Sequence, residues 1–217
     1  MLNLLIYIFT IFGILIIKFI LPRILRQIRG NKLPKGAIIV KGNVPINDKR
    51  KIGSRLSKIA VSFGIAMIYI IQLDFIIRLM FFGFGEHNLI FIVDLPVMVY
   101  WIGIIGMWFL GIWVSITFIY NVNYTACFKQ LKEAEYALAT GGTYKYVRHP
   151  AYIAGIFEIV FIFLGTGVWF IFFGLIGFLA LPYQAKEEEE MMRQMFGNVY
   201  EDYMFKTGRF LPRILKE

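Results

Sequence analysis

From Leu2 to Leu21 the chain is apolar apart from Asn3, Thr10 and Lys18, and about twenty such residues in a helix cross the roughly 30 Å hydrocarbon core of a bilayer. Runs of the same character follow at 59–82, 95–120 and 151–181. Hydrophobic residues make up 59% of the chain and charged ones 17%, against roughly half and a quarter in soluble domains. The sequence therefore reads as an integral membrane protein, and 217 residues leave no room for a large soluble domain beside the spans. The first run lacks the basic start, short apolar centre and small-residue cleavage site of a secretory signal, so it is read as a span.

Charge between the runs sets the expected orientation. Residues 22–58 carry eleven Lys and Arg against the single acid Asp48, which by the positive-inside rule makes this segment cytoplasmic. Its Leu33-Pro34-Lys35-Gly36 and Asn43-Val44-Pro45 turns argue against a helix throughout. The segment 83–94 has no Lys or Arg and is expected outside, whereas 121–148 and the tail 182–217 carry basic residues and return to the cytoplasm. A net charge of +9 is thus explained by membrane orientation and anionic lipid, and nucleic acid is not an expected partner. The lone Cys127 and the two histidines, His87 and His149, offer no metal-ligand spacing and no disulfide.

The run 151–181 is broken by Gly165-Thr166-Gly167 and has Glu158 as its only charge. One long helix would put the charged tail on the wrong side, so two short helices forming a hairpin are expected. Asp74 and Arg78, four apart on one helix face within the second span, form either a structural ion pair or a contact to a polar substrate group. Gly103, Gly106 and Gly111 in the third span allow close helix packing. In 121–148, Phe128, Leu131, Tyr136 and Leu138 suggest an amphipathic segment on the membrane surface.

The stretch Gly141-Gly142-Thr143-Tyr144-Lys145-Tyr146-Val147-Arg148-His149-Pro150-Ala151-Tyr152 joins that polar segment to the hairpin. Paired glycines mark a turn and Pro150 suits the first turn of a helix, so a helix is expected from about His149. Arg148 and His149 then stand at a helix mouth among Tyr144, Tyr146 and Tyr152, a place either to hold a small polar ligand or to anchor the chain at the interface. The tail opens with Lys186-Glu187-Glu188-Glu189-Glu190 and closes with Thr207-Gly208-Arg209-Phe210-Leu211-Pro212.

Taken in order, Gly142-x-Tyr144-x-x-x-Arg148-His149-Pro150-x-Tyr152, an apolar gap the size of a hairpin, Glu188-Glu189, Phe196-Gly197-x-x-Tyr200-x-x-Tyr203 and Gly208-Arg209-x-x-Pro212 resemble the isoprenylcysteine carboxyl methyltransferase family of integral membrane enzymes, over about 121–212. The resemblance implies S-adenosylmethionine as cofactor, held between the cytoplasmic end of the hairpin and the tail. Carried over by motif, the cofactor contacts would be Tyr136, Ala137, Leu138, Ala139, Tyr144, His149, Pro150, Ala151, Tyr152 and Glu188. It also implies an acceptor with a lipophilic chain, most readily a prenylcysteine-like carboxylate, with Gln184 and Arg209 toward the substrate. The family typically has an arginine at the position of Gln184. No residue is assigned as a catalytic base, because a carboxylate acceptor needs none.

The expected fold is all-α and membrane-embedded, with about five transmembrane helices, the last two a hairpin, and a cytoplasmic helical tail. Residues 1–120 would form three spans and the basic loop, and 121–217 the cofactor-binding and catalytic region. Competing readings are a phospholipid or amine methyltransferase, an NADPH-dependent sterol-type reductase, against which the glutamate run argues, and a non-enzymatic transporter or scaffold subunit.

Overall fold

The computed structural model describes residues 4–41, 55–82, 92–121, 128–132 and 135–213. Among these, four helices are long and apolar enough to cross a membrane, Leu4–Arg29, Leu56–Arg78, Val97–Tyr120 and Trp169–Phe196, and Pro150–Thr166 is a shorter apolar helix. Large apolar side chains stay exposed along them, among them Phe9 and Phe12 on the first and Ile102, Ile105 and Phe109 on the third. Such a belt suits lipid and not water.

The first span is longer than expected. Helix α1 (Leu4–Leu15) passes through a π-helical turn (Ile16–Ile20) into α2 (Leu21–Arg29). Pro22 ends a regular helix by crowding the carbonyl four residues back, here that of Lys18, and the wider turn around Lys18 relieves that crowding. The helix therefore runs into the basic segment. There it finds partners, because Arg26 and Arg29 donate to the carbonyls of Asn121 and Ile119 (both 2.7 Å). Carbonyls at a helix end have no partner within the helix, and α4 (Val97–Tyr120) ends at these.

Helix α3 (Arg55–Phe82) carries Arg78 Nε against Asp74 Oδ2 at 2.6 Å, with both side chains well exposed, so these two form the structural ion pair. The turn expected at Asn43-Val44-Pro45 and most of 83–94 lie outside the described residues.

The hairpin forms as expected. α5 (Pro150–Thr166) ends at Gly167, whose φ of 76° turns the chain, and the second arm rises through a 3-10 turn (Trp169–Phe173) and α6 (Gly174–Phe178) into α7 (Leu181–Phe196). α5 is about 26 Å long at 1.5 Å per residue, a little short of the bilayer core. The tip meets the chain ahead of α4, with Val93 N donating to Gly167 O at 2.9 Å. α4 and α5 thus lie antiparallel. A Cβ added at Gly103 would fall 2.0 Å from Gly165 N and 2.4 Å from its Cα. Gly103→Ala must push the helices apart, and we expect a loss of at least about 2 kcal/mol, read as a lower melting temperature in detergent; an unchanged melting temperature would contradict this packing.

The all-α expectation is corrected at one place. β1 (Ile38–Lys41), β2 (Phe128–Lys132) and β3 (Glu135–Leu138) form an antiparallel sheet in the order β1-β3-β2. Val40 and Gln130 flank Tyr136, and Ile38 and Phe128 flank Leu138. The segment read as a membrane-surface amphipath is therefore a hairpin of strands joined by a third from the basic segment.

Strand alternation sends side chains to opposite faces. Tyr136 and Leu138 pack with Met192, Met195 and Phe196 of α7 and with Tyr200 and Tyr203 of α8 (Asn198–Lys206). Ala137 and Ala139 pack with Tyr144, Leu33, Ala37 and Tyr120. The sheet is held between the tail and the ends of the membrane helices.

Candidate functional site

Pro150 opens α5 and His149 is its N-cap, with φ −122° and ψ 62°. Gly142 has φ 59°, the left-handed turn that paired glycines allow, and starts a 3-10 turn through Lys145. The strand-like segment that follows is held by the end of the tail. Arg148 N donates to Gly208 O (2.9 Å) and His149 N to Arg209 O (3.1 Å), while Gly208 N donates to Tyr146 O (3.4 Å). Two motifs sixty residues apart are thus one backbone unit.

α7 brings its glutamates to that unit, and helical spacing separates their roles. Glu189, with 3% of its side chain exposed, accepts from Arg148 Nε at 2.8 Å and from Arg209 Nη2 and Nε at 2.6 and 3.0 Å. Arg148 also donates to the carbonyls of Met204 (3.2 Å) and Thr207. Glu187 and Glu190 are exposed.

Glu188 has 24% of its side chain exposed. It accepts from the Tyr152 hydroxyl and from Gln184 Nε2 (3.3 Å), and His149 Nδ1 lies 3.3 Å from its second oxygen. The His149 ring stacks on Tyr152, with centroids 5.2 Å apart and planes at 13°, and Phe210 leans on it at 5.8 Å. His149 Nε2 lies 3.4 Å from Glu189 but is not aligned for a hydrogen bond. Gln184 Oε1 is buried and also has no hydrogen-bond partner. With Nε2 turned to a carboxylate, that amide leaves an acceptor over.

Burial lowers the His149 pKa, yet the two carboxylates beside the ring, Glu188 and Glu189, prevail and raise it above 6.5. A raised pKa gives stability that is fully present below 6.5 and disappears as pH climbs through the higher folded value. The melting-temperature gap between the native protein and His149→Gln should therefore be widest below pH 6.5 and shrink above it. A gap that grows with pH would contradict a charged His149.

The structure gathers His149, Pro150, Ala151, Tyr152, Gln184 and Glu188 at the junction of α5 and α7. Tyr136, Ala137, Leu138, Ala139 and Tyr144 form a second group. It joins the first through α7, because Met192 packs on the strand residues one turn after Glu188. Tyr144 is fixed by Asn121 Nδ2 on its hydroxyl (3.0 Å) and by the Tyr203 hydroxyl on its carbonyl (2.7 Å). Arg209 reaches the cluster through Glu189.

A cavity of about 270 Å³ lies on the membrane side of this junction, lined by Phe19, Ile68, Val114, Phe118, Phe178 and others, with Lys18, Tyr152 and Glu158 also in its wall. Sequence reading noted Lys18 and Glu158 as isolated charges but did not join them. It also gave Glu189 no role, although the arginines on either side of it in the fold were both noticed.

The sequence is similar to known proteins, and one family model matches over this same region. The family described as phospholipid methyltransferase matches residues 98–199. A curated relative from Dictyostelium discoideum, named protein-S-isoprenylcysteine O-methyltransferase, is 29% identical over 118 residues, which cover 53% of this chain and 50% of the relative. The chain thus spans about half the length of the curated relative it matches.

Proposed function

We propose that this chain, a membrane protein similar to the isoprenylcysteine carboxyl methyltransferases, uses S-adenosylmethionine to methylate the polar end of a lipophilic acceptor at the cytoplasmic end of its hairpin. One observation carries the proposal. Tyr152 lines the apolar cavity and donates its hydroxyl to Glu188, so a lipophilic chain and a cationic ligand would meet at a single side chain.

The residues suit that cofactor. Glu188 is a partly open carboxylate that can pair with its ammonium, and the faces of Tyr152 and Tyr144 favour a cation. Gln184 Oε1 is a buried acceptor in want of a donor. When bound, S-adenosylmethionine supplies an electrophilic methyl group on a sulfonium. The chain's own work is alignment and exclusion of water, and orientation alone is worth several kcal/mol. Glu188 fixes one reactant, the cavity directs the other, and the Glu189 clamp on Arg148 and Arg209 holds the tail over the junction.

The finer reading is a prenylcysteine-like carboxylate acceptor, as the relative's name suggests. Such a carboxylate needs a facing cation in a partly dry site. Arg148 is held by Glu189 and by the carbonyls of Met204 and Thr207, Arg209 is paired with Glu189 though partly exposed, and Gln184 is neutral. That supports a second reading, a lipophilic amine acceptor, which the phospholipid methyltransferase match also favours.

Methylation assays with an S-prenylcysteine analogue and with a lipophilic primary amine, each on the native protein and Gln184→Arg, separate the two. A weak carboxylate substrate that improves at least tenfold in kcat/KM in the variant is expected, roughly the effect of one charge-assisted hydrogen bond. Strong native turnover with no gain would show that another residue holds the carboxylate, and turnover of neither acceptor would sink the proposal.

A further inference from the structure

Lys18 and Glu158 are the only charged residues of their apolar runs, 140 positions apart, and the structure pairs them, Nζ to Oε1, with side chains 3% and 9% exposed. An ion pair taken out of water is often no better for stability than two apolar residues of the same volume. Intramembrane charges persist chiefly where they face a polar cavity or a functional partner.

Three features point to the latter. Both residues line the cavity of about 270 Å³ beneath the junction, whose other lining residues are apolar apart from the hydroxyls of Tyr69 and Tyr152. Lys18 sits at the centre of the π-helical turn Ile16–Ile20, which accommodates Pro22 and is a geometry frequent at functional sites. Tyr152, in the same wall, leads to Glu188. The ammonium has three donors and the carboxylate about four acceptor positions, and the contact between them uses one of each. The pair therefore keeps hydrogen-bonding capacity in the wall of a largely apolar space. At roughly 30 Å³ for a water-sized group, that space holds about nine such groups. That is room for about nine carbons of a lipophilic chain.

We propose that Lys18 and Glu158 determine specificity by reading an oxygen-bearing group, a hydroxyl or carbonyl, partway along the lipophilic chain of the acceptor. The inference rests on the methyltransferase reading for the identity of the ligand, but it can be tested by binding alone. The probe is a cysteine S-alkylated with an unbranched chain of about ten carbons, together with derivatives in which one hydroxyl is moved carbon by carbon along that chain. Each competes with the radiolabelled parent for the purified full chain in detergent.

One hydroxyl position should bind at least about tenfold tighter than the parent, as one hydrogen bond to a charged group would give. In Lys18→Met/Glu158→Leu the parent should bind at least as well as in the native protein, and the preference should vanish. Glu158→Gln, which keeps the shape, should shrink the preference while parent affinity stays within about threefold, and it decides the matter if the double variant does not fold. A pair that only holds helices together would lower the melting temperature and weaken every probe equally. Uniform binding across the series, or a preference that survives these substitutions, overturns the proposal. A protein that shows the preference but does not bind S-adenosylmethionine would remove the methyltransferase reading and leave this one standing.

Discussion

Glu189→Gln should lower the melting temperature in detergent by roughly 6 to 12 °C, the shift that about 3 kcal/mol produces in a chain of this size. The carboxylate is buried and takes the charge of Arg148 outright, and Arg148 has only 9% of its side chain exposed. Removing the partner leaves that guanidinium desolvated and unpaired, which costs far more than the pair contributes when intact. Arg209 is 39% exposed and recovers part of its loss from water, so it adds little. The neighbouring Glu190 pairs with Arg193 at 3.6 Å with both side chains about half exposed, and Glu190→Gln should cost less than about 0.5 kcal/mol. Equal effects from the two substitutions would mean that the tail is not held by Glu189.

Glu188→Gln should weaken S-adenosylmethionine binding by at least about 1.5 kcal/mol, more than tenfold, with little change in melting temperature. Here the side chain is partly open and its protein donors are Tyr152, Gln184 and His149, groups that a neutral amide can still satisfy in part. What the amide cannot replace is the charge facing a cationic ligand. Glu187→Gln, on the exposed face of the same helix turn, should change affinity by less than about 0.5 kcal/mol. Isothermal titration on the three proteins checks this, and matching small losses from both variants would return the glutamate run to a solvated helix face.

The membrane helices were legible because length and hydropathy alone specify them, and the start of α5 because Pro150 is permitted only in a first turn. The hairpin was legible from Gly165-Thr166-Gly167. The sheet was not. Its strands are four or five residues long, and Val40 meets Tyr136 across most of the membrane region, so no local periodicity announces the pairing. The run of the first helix past Leu21 was missed for a related reason, since the wide turn that accommodates Pro22 leaves no mark in the apolar pattern.

At the site, the sequence supplied the cast but not the pairing. Among four successive glutamates each is rotated about 100° from the next, and only the positions of Arg148, Arg209 and Tyr152 in the fold decide that Glu189 is the buried clamp and Glu188 the half-open carboxylate. Lys18 and Glu158 posed the same difficulty at longer range. Each was conspicuous as a lone charge, and neither named its partner.

The most direct test of the central claim is photocrosslinking of radiolabelled S-adenosylmethionine to the purified full chain in lipid nanodiscs, with the labelled peptides mapped. Saturable labelling within 136–152 and 184–188, competed by unlabelled cofactor and strongly reduced in Glu188→Gln, is the predicted result. A folded chain that takes no label, or label confined to the open arginine-lined face around Arg193 and Arg213 of the tail, would contradict it.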